Sequence, residues 1–117
     1  MADVNDFVGT LIAPVTVTIP NGETISGAGF FAGLGVVGIE FPSGMDGTMI
    51  GFEVSTDNTV FSVLEDNTST AITIIVDSSA QAQPLTPIDF VAWPFIKVTS
   101  DSAETPTKDI KLIPYKV

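Results

Sequence analysis

The stretch GLGVVGIEFPSG, residues 33–44, admits two structures. Its first six residues spell G-x-G-x-x-G, the spacing of a dinucleotide-binding turn. That turn needs a strand before it, a helix opening at the glycines and a βαβ frame around both. The helix N-terminus is what holds the pyrophosphate. Here the glycines interleave with Val36, Val37 and Ile39, and Pro42-Ser43-Gly44 closes the run. Pro42 blocks continuation of any helix. The stretch therefore reads as a buried central strand, with glycines where a bulge forms or a neighbour packs close.

The flanking sequence has the same texture. VTVTIP (15–20) alternates Val15, Val17 and Ile19 with Thr16 and Thr18, the period of a half-buried strand, and Pro20-Asn21-Gly22 ends it in a turn. ETISGAGFF (23–31) restarts the chain, with Ile25 and one of Phe30 or Phe31 expected inward. TMIGFEVS (48–55) puts Ile50, Phe52 and Val54 in phase. A hairpin tip at Asp57-Asn58 then sets Val54 opposite Phe61, Phe52 opposite Val63 and Glu53 opposite Ser62. STAITIIVD (69–77), the strand within DFVAWPFIKVTSD (89–101) and DIKLIPYKV (109–117) follow. In the last, Ile110 and Leu112 face away from Lys111. SSAQAQPLTP (78–87) is the least structured stretch, with room for a single helical turn, since Pro84 and Pro87 forbid a long one. About eight or nine short strands without a long helix predict an all-β chain, a single antiparallel β-sandwich or jelly-roll-like domain.

Residues 15–117 form that expected domain. MADVNDFVGTLIAP (1–14) precedes it, either as a first core strand or as an arm that docks on a neighbour. Phe7, Val8, Leu11 and Ile12 are its apolar residues and the candidate interface. MADVNDF lacks the basic start of a secretion signal.

The side-chain inventory excludes much chemistry. The 117 residues contain no cysteine and no histidine, so thiolate chemistry, disulfides and histidine-based metal sites or triads are not available. Asp46, Asp57, Asp66, Asp77 and Asp101 fall at expected strand ends. Such residues cap turns through their own backbone, and loop carboxylates are also the ligands of Ca²⁺. No D-x-D-x-D-G run is present, and no metal, cofactor or catalytic site is expected. Four lysines stand against fourteen acids, with no arginine, for a net charge of −10. No cationic face can be assembled for phosphates, which argues against nucleic acid and against anionic membranes. A hydrophobic content of 44% and a mean hydropathy of +0.43 leave apolar residues over to meet a partner.

In order and spacing, VTIPNGETISGA, LGVVGIEFPSG, TMIGFEVSTDNTVFSVLED, PFIKVTSD and IKLIP resemble a group of short structural proteins encoded by tailed bacteriophages and prophages. The match runs over residues 15–117. The chain departs from the group in lacking arginine, and its first fourteen residues lie outside the pattern. The resemblance implies a virion component on the outer surface of the capsid. Such a decoration, or cement, protein is a small β-sandwich, often trimeric, that bridges major capsid subunits after head expansion. A carbohydrate-binding or structural module of the phage tail or baseplate is the alternative. The scarcity of Trp and Tyr, one each, counts against the glycan-binding form of it.

Overall fold

The computed structural model describes residues 10–116. Among them ten strands form two antiparallel sheets packed face to face as a β-sandwich. They are β1 (Thr10–Leu11), β2 (Val15–Ile19), β3 (Gly29–Phe30), β4 (Gly35–Phe41), β5 (Met49–Ser55), β6 (Ser62–Val63), β7 (Ile74–Ile75), β8 (Gln81–Pro84), β9 (Phe95–Ser100) and β10 (Lys108–Lys116). In the first sheet β10 is central. It pairs with β4 on one side and with β2 and β1 on the other, and β8 adds to the far edge of β4. In the second sheet β5 lies between β9 and the short strands β6 and β7, and β3 borders β9.

Each long strand has one apolar face, and the two apolar faces meet. Val17, Ile19, Val36, Ile39, Phe41, Ile110 and Leu112 come from the first sheet; Ile50, Phe52, Val54, Ile96 and Val98 come from the second. Phe31, Phe90, Leu64 and Val76 close the ends of this core. Phe52 and Phe90 meet edge to face at 5.0 Å, a favoured aromatic geometry.

The GLGVVG stretch is a strand. Gly33, at φ 75°, turns the chain, and the Leu34 N–H donates to the Phe31 carbonyl at 2.8 Å. Gly35 lies under Pro87, where a Cβ would approach the proline Cβ to 2.8 Å. Opposite β4, Ile113 pairs with Gly38 and Pro114 with Val36, so Val37 is an extra residue in the ladder. This bulge lets Val36 and Ile39, three positions apart, both point into the core. It also accommodates Pro114, which has no N–H to give the ladder.

Three expectations are corrected. The β5–β6 hairpin is shifted by one residue: Val54 pairs with Ser62 and Glu53 with Val63. Ser55 Oγ accepts the N–H groups of Asp57 and Asn58, and Asp57 Oδ1 accepts those of Thr59 and Val60. With Asn58 at φ 61°, this network holds a longer loop than a tight turn. Leu64 therefore takes the core position, and Val63 turns outward. Second, residues 81–84 form the edge strand β8, followed by a 3-10 turn at Pro87–Asp89. Pro84 is tolerated there because an edge strand is bonded on one side only. Third, Phe31 is the buried phenylalanine of its pair, but Ile25 is only half-buried and bridges to Thr99, while Ser26 is buried in its place. Ser26 Oγ accepts the Val98 N–H at 2.9 Å, which ties this irregular segment to β9.

Candidate interaction surface

The outer face of the second sheet carries the largest set of exposed apolar side chains. Alternation places Met49, Gly51 and Glu53 of β5 opposite the core-facing Ile50, Phe52 and Val54. The register sets Lys97 and Val63 beside Glu53, Thr99 beside Gly51, and Ile75 beside Met49. Phe30 pairs with Phe95 at the border strand, their rings 5.3 Å apart. Ile75 is 75% exposed, Phe30 64%, Val63 55% and Met49 46%. Lys97 lies over the Phe61 ring at 4.1 Å. Gly51, at the middle of the face, is overlain by Thr99, whose Oγ1 would lie 3.0 Å from a Cβ there.

The lysines are distributed unevenly between the sheets, whereas exposed acids lie on both, Glu40 and Asp109 on strands of the first. Of the four lysines, Lys108, Lys111 and Lys116 lie in β10 of the first sheet and only Lys97 in the second. The loops leaving the strands of the second sheet carry Asp57, Glu65, Asp66, Asp77 and Asp101, all exposed. Four of them are held below the usual carboxylate range by the hydrogen bonds they accept. The main causes are the Val60 N–H for Asp57, the Thr68 hydroxyl for Asp66, the Ser79 hydroxyl for Asp77 and the Met49 N–H for Asp101. Asp57, Asp66 and Asp77 cap their own turns, as one of the two expectations had it, whereas Asp101 accepts the Thr48 and Met49 N–H groups and Asp46 the Thr105 N–H, each from a distant loop. Among the described residues no group of three or more acids is placed to hold a metal ion.

At one end of the sandwich lies a second polar feature, unmarked in the sequence. Glu104 is wholly buried, between β9 and β10. Its carboxylate accepts the Asp46 and Gly47 N–H groups, both at 2.9 Å, and the Ser100 hydroxyl at 2.8 Å. Its backbone exchanges hydrogen bonds with Gly22 and Glu23 of the β2–β3 turn. Lys108, also buried, lies 3.9 Å from Glu104 and 3.8 Å from Asp46, and donates to the Thr105 and Pro106 carbonyls. Every polar atom of this cluster has a partner, so it reads as a clasp on three loops.

Of the sequence-predicted interface residues, Phe7 and Val8 lie outside the described residues. Leu11 belongs to β1, whose backbone pairs with Tyr115 and Lys116 at the end of β10. Ile12 is 37% exposed, and its N–H reaches the Pro114 carbonyl at 3.4 Å. Ile12 therefore sits on the first sheet, away from the apolar outer face of the second. That face was not anticipated, although Met49, Val63 and Ile75 alternate with core residues in the sequence and so signal a strand apolar on both sides. Trp93 is half-buried against the core. A shallow apolar concavity of about 500 Å³ lies at the 3-10 turn, lined by Thr86, Pro87, Ile88 and Val91.

No protein-family model, no curated protein and no solved structure matches this chain. The resemblance to phage structural proteins thus stands on the sequence motifs quoted for it.

Proposed function

We propose that this chain is a bacteriophage virion structural protein, a capsid decoration protein that stabilises the expanded head by bridging major capsid subunits on its outer surface. The observation that supports this reading is that four exposed apolar side chains, Phe30, Met49, Val63 and Ile75, stand on one face of the second sheet, around Glu53, Lys97 and Thr99. Large apolar side chains left exposed together on one sheet face are a surface on which another protein can dock. A β-sandwich with a clasped end offers a stiff platform for such a contact, so little ordering opposes binding. The trimer that the resemblance implies is part of the same proposal.

The test is to add purified protein to expanded heads that lack it and to count bound copies. Saturation at a fixed number of lattice sites is the expected result. Absence of head binding together with measurable glycan affinity would replace this reading with the tail or baseplate module. Light scattering on the free protein reports the trimer.

A further inference from the structure

We propose that Asn21-Gly22 and Asp46-Gly47 are two slow covalent modification sites, each able to close to a succinimide, and that the Glu104 clasp holds both shut. The inference stands apart from the decoration reading. The chain has one Asn-Gly and one Asp-Gly pair, and both meet the same buried glutamate. The Gly22 N–H donates to the Glu104 carbonyl at 2.8 Å, and the Gly47 N–H donates to Glu104 Oε2 at 2.9 Å. These are the two nitrogens that attack. At Asn21 the Gly22 nitrogen bonds to the side-chain Cγ, the bond from Cγ to the side-chain amide nitrogen breaks, and the displaced N–H proton leaves with that nitrogen as ammonia. At Asp46 the Gly47 nitrogen bonds to Cγ of the protonated carboxyl, and water leaves. Water then adds to either carbonyl of the ring and gives aspartate or isoaspartate, so the first site gains an acid and the second is isomerised. Glycine suits both steps, because it has no side chain to hinder the attacking nitrogen and its backbone is free to turn.

Closure needs the glycine N–H to lose its proton to solvent and the backbone to rotate the nitrogen onto Cγ. A hydrogen bond within a fixed turn denies both, so the reaction runs through the opened clasp, as amide exchange does. The two sites are held to different degrees. Asn21 and Gly22 are exposed in a turn closed by the Glu23 N–H on the Pro20 carbonyl at 3.0 Å, and a Cβ on Gly22 would meet nothing within 4 Å. The bond to Glu104 is the main cover of that nitrogen. Gly47 is buried against Ser100, Asp101 and Glu104, and Asp46 Oδ2 accepts the Thr105 N–H at 2.7 Å. Asn21 is thus the faster site in the folded protein. Isoaspartate at position 46 lengthens the main chain by a methylene and takes the carboxylate from Thr105, which keeps the clasp from re-forming.

The test incubates the intact protein at neutral pH beside synthetic peptides of residues 17–25 and 42–51, which carry the same pairs without the clasp. Peptide mapping by mass spectrometry counts conversion at Asn21, enzymatic methylation of isoaspartate counts both sites, and hydrogen exchange follows the Gly22 and Gly47 amides. We expect each site in the folded protein to react slower than its peptide by about tenfold or more, a factor equivalent to about 1.4 kcal/mol of clasp closure. Glu104→Gln keeps the shape of the side chain and removes its charge. It should raise both rates together with exchange at the two glycines, Asp46 the more so because Gly47 donates to the altered group. Leu64→Ala, in the core beside β6, lowers global stability without touching the clasp and should leave both rates unchanged while the protein stays folded. If Glu104→Gln fails to fold, wild type in urea below its midpoint takes its place. Both rates should then rise with exchange at Gly22 and Gly47, ahead of exchange in the core strands. A folded wild type that reacts at the peptide rate at either site would overturn the inference. So would an equal rise in Leu64→Ala, which makes global unfolding the route. So would a Glu104→Gln protein, or a urea series, whose two glycine amides exchange faster with no gain in either reaction.

Discussion

Replacing Glu104 with alanine tests whether one buried carboxylate holds an end of the sandwich together. The substitution leaves the Asp46 and Gly47 N–H groups and the Ser100 hydroxyl without their acceptor. It also leaves the Lys108 ammonium, whose side chain is 5% exposed, with Asp46 as its remaining carboxylate. Hydrogen bonds to a charged group contribute about 1.5–3 kcal/mol each, so three would sum to about 5–9 kcal/mol. The loops lie at the surface and can admit water after the change, which lowers the loss towards the 3–5 kcal/mol or so typical of a broken buried pair. Against a total stability of about 5–15 kcal/mol for a domain, this is a large fraction. Chemical denaturation of Glu104→Ala should show that loss, with a thermal midpoint roughly 10–20 °C lower. Lys108→Met should cost less in the Glu104→Ala background than in the wild type, because the orphaned ammonium is then gone. A Glu104→Ala protein within about 1 kcal/mol of wild type, at an unchanged denaturant slope, would refute the clasp.

Two further outcomes follow from the same geometry. Gly47→Ala places a Cβ against Ser100 Oγ and within 3.2 Å of Glu104 Oε2, and should destabilise by about 1–3 kcal/mol in urea denaturation; an unchanged midpoint would show that the β4–β5 loop gives way freely. Asp57, Asp66, Asp77 and Asp101 are held below their unfolded values, so their contribution to stability is present at neutral pH and is lost as pH falls below about 4, through the folded values. The urea midpoint should therefore decline on acidification in that window, and a midpoint that rises there would contradict the sign.

The strands with one apolar and one polar side were legible. Val17 and Ile19, Ile50, Phe52 and Val54, and Ile110 and Leu112 all face the core as period two requires. The capping roles of Asp57, Asp66 and Asp77 were legible too, because an aspartate two or three residues before a backbone N–H makes its contact locally; those of Asp46 and Asp101 were not, because their N–H partners come from distant loops. The β5–β6 register was misread for a physical reason. Phe61 and Val63 were assigned inward as apolar residues, yet the outer face of this sheet is itself apolar and accepts them. Period two fixes a register only where the two faces differ. Strand β8 was missed because Gln81–Pro84 has no apolar alternation. Its pairing with β4 comes from the backbone, not from side-chain burial.

By itself the sequence determined the class of fold, the buried faces of the long strands, the fate of the G-x-G-x-x-G stretch and the net charge of −10. These depend on residue types within a few positions of one another. Only the tertiary structure decided that Glu104, in a loop that reads as polar filler, is buried with Lys108 against two other loops. It alone brought Phe30, Met49, Val63 and Ile75 onto one face and left three of the four lysines on the other sheet. Those properties depend on which strands lie side by side, and strand order is set by long-range pairing that no local pattern encodes.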